Sequence, residues 1–114
     1  SISRALAERP EQLPTVLLAH EPDIADEVSA TGQVSLQLSG HSHGGQIRFP
    51  LMGAPMLPKY GEKYDMGLYQ IQQMWLYTTR GIGTNNLPYR LNCPPEITEV
   101  TLTVEDEPNS SRTI

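Results

Sequence analysis

The stretch Gly40-His41-Ser42-His43-Gly44-Gly45-Gln46 follows the short run Val34-Ser35-Leu36-Gln37-Leu38, and the two together decide the predicted fold. The run alternates apolar and polar residues as a half-buried strand does, and the glycines let the backbone turn sharply. On extended backbone, histidines at i and i+2 point to the same side, with Cα atoms roughly 6.5–7 Å apart. This separation is larger than that of two histidines at i and i+4 on a helix, which can bind the same zinc ion. It predicts imidazoles that bind two different metals, about 3.5–4 Å apart.

A third histidine precedes this turn. Residues 14–19 form a continuous apolar run, which predicts a strand buried on both faces and delivers His20 at its carboxyl end. Pro22 and Asp23 then predict a short helix over residues 23–29. Because ligands bind at the carboxyl ends of strands in open α/β sheets, His20 is well placed to join the other two histidines. The three supply neutral nitrogen donors, which suit zinc, iron, manganese or nickel.

The remaining sequence predicts short elements joined by loops. They are a helix within residues 1–8, strands at 34–39, 46–49 and 96–104, a hairpin of 67–71 and 74–79 around Gln72-Gln73, proline-rich and glycine-rich loops at 50–58 and 81–90, and a disordered tail at 105–114. The predicted class is therefore α/β, strand-rich, with short helices near the N-terminus.

Composition excludes several classes of function. The 114 residues form one domain at most, and 38% hydrophobic with 18% charged residues describes an ordinary globular protein. A net charge of -5 with no basic stripe argues against nucleic-acid binding. The single cysteine, Cys93, excludes an internal disulfide and is read as inert. No apolar run reaches the length of a membrane span, no signal peptide is visible, and Ser1 in place of a methionine predicts that the true N-terminus lies upstream.

The sequence resembles the calcineurin-like metallophosphoesterase superfamily, in its branch of small bacterial phosphoesterases. The matching stretches are the strand-histidine element at residues 17–23, the double-histidine turn at 40–46, and residues 76–84 and 88–97, which resemble the branch's closing loop and final strand. The resemblance runs from about residue 17 to residue 102. The family's N-terminal half carries Asp-X-His, Gly-Asp-X-X-Asp and Gly-Asn-His-Glu elements, and this sequence contains none of them.

The resemblance implies a fold, a centre and a reaction. Residues 1–104 would form the C-terminal half of a sandwich of two sheets with helices on both outer faces, and the N-terminal half would be its partner. The activity would be hydrolysis of a phosphate ester (a diester, a monoester or a pyrophosphate) at two divalent metal ions, manganese, iron, zinc or nickel. His20 and His41 resemble ligands of the second metal, and His43 resembles a ligand of the first. No catalytic residue is assigned in this half.

Four further residues are predicted to bind the substrate. The amides of Gly44 and Gly45 could approach a phosphate oxygen as an anion-binding nest does, or the glycines could simply form a tight turn. Arg80 and Arg90 could contact phosphate in a bidentate manner at the rim of the site, or they could be surface and ion-pair residues. Arg48, close to the turn, is open to the same two interpretations.

Two other functions and two locations stay open at this stage. A single metal held by three histidines could make its own hydroxide, or the chain could be a non-catalytic module that keeps only the fold.

The apolar loop at residues 51–57 is either a flap packed on the core or a surface for acyl chains or a membrane. The low cysteine content fits the cytoplasm, and a membrane-associated parent protein is the other expectation.

Overall fold

The computed structural model describes residues 1–104, and the predicted tail at 105–114 lies outside the described residues. The helices are α1 (Ile2–Leu6) and α2 (Ala25–Ala30), with 3-10 turns at Pro22–Ile24 and His43–Gly45. The strands are β1 (Val16–Leu18), β2 (Leu36–Ser39), β3 (Gly67–Ile71) and β4 (Met74–Thr78). Within this range they form one four-stranded sheet in the order β1-β2-β4-β3.

The sheet is mixed, because three strands are parallel and the hairpin strand β3 is not. β1 pairs with β2 and β2 with β4 in parallel, whereas β3 pairs with β4 in antiparallel fashion around the predicted turn, where Gln72 has a φ of 56°. The crossover from β1 to β2 passes through α2. The connection from β2 to β4 passes through the double-histidine turn, a long loop and the hairpin strand β3. The predicted α/β class, the hairpin and both short helices are confirmed.

The core lies on one face of the sheet only. The cluster of buried apolar residues comprises Leu6, Ala25, Val28, Val34, Met74 and Leu76. These residues join both helices to alternate positions of β4, because successive side chains of a strand point to opposite faces. Among residues 1–104, no helix is long and apolar enough to cross a membrane.

The other face of the sheet is apolar and exposed within the described residues. The strand register places Val16, Leu18, Leu68 and Trp75 on this face, with exposed fractions of 41%, 76%, 61% and 44%. The prediction that residues 14–19 form a strand buried on both faces is therefore wrong for the described residues. β1 is an edge strand, and the described helices cover only one of its faces.

Two predicted strands do not form as such. Residues 46–49 make only isolated bridges, from Ile47 to Leu91 and from Phe49 to Gly53. Residues 96–104 belong to no strand of the described sheet, although Val100, Leu102 and Val104 alternate with threonines and are exposed. An alternating pattern becomes a strand only where another strand offers its hydrogen bonds, and none within residues 1–104 does so here.

The exposed sheet face predicts that the 114-residue chain self-associates in isolation. Apolar patches of this kind favour association, so we expect sedimentation to show concentration-dependent oligomers and a hydrophobic dye to bind. Leu18→Glu and Leu68→Glu should reduce both effects, because each puts a charge on the exposed apolar face, one on each edge strand. Leu51→Glu, which changes an even more exposed leucine in a loop away from the sheet, is the control. A monodisperse chain that binds no dye would contradict the prediction.

Candidate metal centre

The three parallel strands deliver the predicted site residues to one edge of the sheet. β1 leads into His20, β2 into Gly40 and His41, and β4 into Arg80. Backbone hydrogen bonds extend the ladder past the strand ends, from the amide of Gly40 to the carbonyl of His20 at 3.2 Å and from Thr79 to Ser39 at 2.9 Å. The carboxyl ends of parallel strands meet at the same edge, so this edge is the predicted location of the site.

His20 and His41 lie side by side at this edge. Their ring centroids are 4.6 Å apart and the rings are inclined at 58°. The Nε2 atom of His41 lies 2.9 Å from the carbonyl oxygen of Lys59, to which it donates a hydrogen bond. This bond places the proton on Nε2 and leaves the lone pair of Nδ1 available, which is how a second partner commonly orients a metal-binding histidine.

The backbone of the double-histidine turn is not extended, contrary to the prediction. His41 has a φ of 69° and His43 a φ of 53°, while Ser42 between them is helical at -69° and -21°. Left-handed backbone is uncommon for residues other than glycine, and it turns successive side chains away from the regular alternation of a strand. The assumption that i and i+2 share one side therefore does not apply to these two histidines.

His43 points to a different part of the site from His41. Its Cε1 atom lies 3.8 Å from the position that a Cβ on Gly83 would occupy, whereas Cδ2 of His41 lies 3.5 Å from the corresponding position on Gly61. The Nδ1 atom of His43 is buried and has no hydrogen-bond partner among residues 1–104. Since buried polar atoms are nearly always bonded, this nitrogen is free to bind a partner that those residues do not supply.

The described residues contain no complete metal site. No group of three or more His, Cys, Asp or Glu side chains within residues 1–104 could hold a metal ion. The donors that are present do fit divalent cations, because His20 and His41 face one another and His43 has an unbonded buried nitrogen. The predicted roles of the three histidines as metal ligands stay a prediction.

The structure gives Gly44 and Gly45 a packing role, where a phosphate nest was one of the two interpretations. The amide of Gly44 already donates to the hydroxyl of Ser42 and that of Gly45 to the carbonyl of Ser42, at 3.2 and 2.8 Å. A Cβ on Gly44 would lie 2.5 Å from Sγ of Cys93, and one on Gly45 would overlap the Cβ of Ala54. Both have positive φ, so the tight-turn interpretation explains why glycine is needed at each position.

The guanidinium of Arg90 is committed to backbone carbonyls. Its three nitrogens donate to the carbonyl oxygens of His43, Arg80, Gly81, Gly83 and Cys93 at 2.7 to 3.2 Å. A guanidinium has five N–H groups, and these bonds use donors on Nε, Nη1 and Nη2. The geometry therefore favours Arg90 as a residue that holds loops together, and does not support the predicted phosphate contact.

Arg80 keeps donors available at the rim of the site. Its Nη2 lies 3.1 Å from Oε2 of Glu96, and its Nε is buried without a hydrogen-bond partner within the described range. Oε1 of Glu96 accepts bonds from the hydroxyls of Tyr77 and Thr98 at 2.8 and 2.9 Å. Burial by itself would raise the pKa of the Glu96 carboxyl, but the hydrogen bonds from Tyr77, Thr98, Thr79 and Arg80 outweigh it and lower the pKa.

The lowered pKa of Glu96 predicts a loss of stability in acid. A carboxyl whose native pKa lies below its unfolded value of 4.5 stabilises the fold above that value, and the contribution disappears as the pH falls through the native pKa. We expect Glu96→Gln to melt at a lower temperature than the wild type near neutral pH, with the difference shrinking toward acid. Melting curves over a pH series measure this. A difference that stays constant with pH would show that the charge of Glu96 contributes nothing.

The apolar loop contains both packed and exposed residues. Ala54 and Leu57 pack over Gly45, whereas Leu51, Met52 and Met56 are strongly exposed. A cavity of about 290 Å³ lies between the apolar loop and the glycine-rich loop at residues 81–90. It is lined by Gly45, Gln46, Ile47, Pro55, Met56, Asn85, Asn86 and Leu87. The predicted contact of the exposed residues with acyl chains or a membrane stays a prediction.

Sequence reasoning missed Gln46 and Asp65. The buried side chain of Gln46 donates to the carbonyls of Leu87 and Tyr89 and accepts from the amide of Asn85, so it organises the facing loop. Asp65 forms a 2.7 Å ion pair with Arg48. Neither residue belongs to a local pattern, because their partners are distant in sequence. Gln46 gave one signal, its position at the end of the double-histidine turn, and Asp65 gave none.

Several known proteins are similar to this chain. The metallophosphoesterase YkuE of Bacillus subtilis, named as uncharacterized, is 46% identical over 81% of this chain and 32% of its own length. The phosphodiesterase YaeI of Escherichia coli is 44% identical over 79% of this chain and 33% of its own length. A transmembrane protein with a metallophosphoesterase domain from Bos taurus is 40% identical over 78% and 20%, respectively.

The chain spans about a third of the length of the two bacterial relatives. No protein-family model matches it, and no solved structure gives a significant match. The similarity covers most of this chain but only part of each relative, so it supports a statement about the family and not about the whole protein.

Proposed function

We propose that this chain, which belongs to the calcineurin-like metallophosphoesterase family, supplies the C-terminal ligands of a dinuclear metal centre that hydrolyses phosphodiesters. The reaction class follows the family, and the diester preference follows the name of the Escherichia coli relative. The remaining ligands would come from residues outside this chain, which spans about a third of that relative. The single observation that carries the proposal is the pairing of His20 with His41 at the ends of adjacent parallel strands.

The positions of the histidines suit two metals rather than one. The ring centroids of His20 and His41 lie 4.6 Å apart, so these two residues could share one cation. His43, whose Cε1 lies near Gly83 and whose buried Nδ1 has no partner among residues 1–104, could bind the other. Neutral ligands leave the metals cationic enough to attract a phosphate ester. A bound pair of divalent cations would supply activated water and neutralise the phosphoryl oxygens.

Arg80 is the residue of this chain that we propose to contact the substrate phosphate. It follows β4 at the same edge of the sheet and its buried Nε has no partner among residues 1–104. Its ion pair with Glu96 orients the guanidinium without using all five N–H groups. Arg90 and the two glycines, whose donors are already engaged, would instead preserve the shape of the site.

The mononuclear three-histidine alternative has less support. It requires His20, His41 and His43 to surround a single ion, and within residues 1–104 no group of three potential ligands is close enough to do so. The dinuclear proposal needs only that each metal receive further ligands from outside the described part of the chain. Metal stoichiometry discriminates directly between the two.

The test compares the full-length protein with the isolated 114-residue chain. We expect the full-length protein to bind two divalent ions and hydrolyse bis(p-nitrophenyl) phosphate, and the isolated chain to show no appreciable turnover with manganese, iron, zinc or nickel. One metal per full-length protein, or metal-dependent turnover by the isolated chain, would overturn the dinuclear proposal in favour of the mononuclear one. A full-length protein that binds no metal would favour the non-catalytic module.

A further inference from the structure

The double-histidine turn has an unfavourable backbone that other residues must hold in place. Four consecutive residues, from His43 to Gln46, have positive φ, and so does His41. Backbone of this kind costs free energy at each residue other than glycine and persists only where the surroundings enforce it. The direction of both imidazoles depends on this conformation, because each χ1 starts from a Cα whose orientation the backbone sets.

The carbonyl groups of His43 and Gly44 accept hydrogen bonds from side chains outside the turn. Nη1 of Arg48 donates to the carbonyl oxygen of Gly44 at 3.0 Å, and Nη1 of Arg90 donates to that of His43 at 3.2 Å. The thiol of Cys93 lies 3.3 and 3.5 Å from the same two oxygens. Charged donors make stronger hydrogen bonds than neutral ones, so the two arginines dominate this contact.

Asp65 joins the arginine and the turn in one network. Its Oδ2 lies 2.7 Å from the same Nη1 atom of Arg48, and its backbone carbonyl accepts the hydroxyl of Ser42, which lies between the two histidines. Its Oδ1 accepts from the hydroxyl of Tyr69 at 2.9 Å, which fixes the carboxylate to β3. Arg48 and Asp65 are mostly buried, with side chains 19% and 21% exposed.

We propose that Arg48 and Asp65 are positioning residues for the metal ligands His41 and His43. Asp65 anchors the turn to β3 through Ser42 and orients Arg48, and Arg48 fixes the carbonyl that follows His43. The inference rests on the proposed metal-binding function, since it concerns how the ligands are held. Because both residues bond to the turn and to each other, we expect them to affect metal affinity and turnover rather than substrate binding.

Cobalt(II) binding to the full-length protein tests the pair through a readout other than activity. The visible absorption of Co²⁺ reports the number and geometry of its ligands, and its titration gives the dissociation constant. We expect Arg48→Met and Asp65→Asn each to weaken Co²⁺ binding by about 10- to 100-fold, the usual effect of removing a residue that orients a metal ligand. Arg48→Lys, which keeps a charged donor, should recover part of the affinity.

The effects of the two substitutions on Co²⁺ affinity should not be additive. If Arg48 acts on the turn together with Asp65, the double variant Arg48→Met/Asp65→Asn binds Co²⁺ about as weakly as the weaker single variant. In steady-state kinetics each single variant should lower kcat and leave KM nearly unchanged. Circular dichroism and the melting temperature without metal establish that each variant is folded before its affinity is compared.

Lys63→Met is the matched control, because it also removes an aspartate–cation pair. Lys63 pairs with Asp26 on the surface, with side chains 60% and 45% exposed. We expect this variant to bind Co²⁺ as the wild type does. Equal losses in Lys63→Met and Arg48→Met would show a general effect of ion-pair removal and overturn the proposal.

The results can distinguish failure of the positioning role of Arg48 and Asp65 from failure of the proposed metal-binding function. If His43→Ala leaves the Co²⁺ spectrum unchanged, the proposed metal site itself fails. If His43→Ala abolishes the spectrum but folded Arg48→Met and Asp65→Asn keep wild-type affinity, the function stands and the positioning role is wrong. Should Arg48→Met not fold, the isosteric Asp65→Asn decides, because it keeps the backbone bond to Ser42 and removes only the charge.

Discussion

His43→Ala in the full-length protein is expected to lower the hydrolysis of an activated phosphodiester by more than about 100-fold. Changing a residue that merely orients a metal ligand already costs about 10- to 100-fold, and this substitution removes the ligand. The unbonded, buried Nδ1 of His43 is the atom that would be lost from the site. His41→Ala should have a similar effect, since it removes the ring that pairs with His20. The measurement is kcat/KM with saturating metal, together with metal content.

The control for this result is Lys59→Ala. His41 bonds to the backbone carbonyl of Lys59 and not to its side chain, which is exposed. The substitution therefore keeps the contact that orients the imidazole, and activity should stay near that of the wild type. If His43→Ala retains most of its activity with full metal content, His43 is not a ligand and the proposed centre is wrong in that respect.

Gly45→Ala is expected to produce the largest loss of stability that a single added methyl group causes in this chain. Gly45 has a φ of 80°, and a Cβ there would overlap that of Ala54 in the apolar loop. Left-handed backbone costs about 1–2 kcal/mol for a residue with a Cβ, and overpacking adds about 1–3 kcal/mol. The free energy of unfolding of the full-length protein should therefore fall by about 2–5 kcal/mol. Urea denaturation measures the change.

Two variants separate the strain from the clash. Gly32→Ala has nearly the same kind of backbone, with a φ of 66°, but nothing lies within 4 Å of the new methyl group, so it should show the strain alone. Adding Ala54→Gly to Gly45→Ala removes the overlapping methyl group and should recover the overpacking part. If the double variant is no more stable than Gly45→Ala, contact with the apolar loop does not limit what position 45 accepts.

Local patterns predicted most of the secondary structure. The hairpin of β3 and β4 was predictable because two β-rich runs flank a two-residue turn, and the helix after Pro22 because proline begins helices well. The strand before the double-histidine turn follows from alternation, and β2 forms within it as Leu36–Ser39. In each case the deciding interactions are between residues close in sequence.

Residues whose role depends on distant partners were not predictable in this way. Arg90 reads in sequence as a free cation near a glycine-rich loop, yet its donors serve carbonyls as far away as His43. Residues 96–104 have the pattern of a strand, but a strand also needs a neighbour. Asp65 gave no signal, because its importance comes from Arg48 and Ser42, about twenty residues earlier in the chain.

The sequence by itself determined the α/β class, through local periodicity, and indicated the family, through short motifs; it also predicted His20, His41 and His43 as metal ligands, which stays a prediction. Only the tertiary structure decided that His20 lies beside His41 while His43 points to another loop. It also decided that Gly44 and Gly45 are needed for close packing, and that Arg48 pairs with Asp65. The physical reason is that hydrogen bonds and steric contacts act over a few ångströms in space, and the fold brings those partners together from anywhere along the chain.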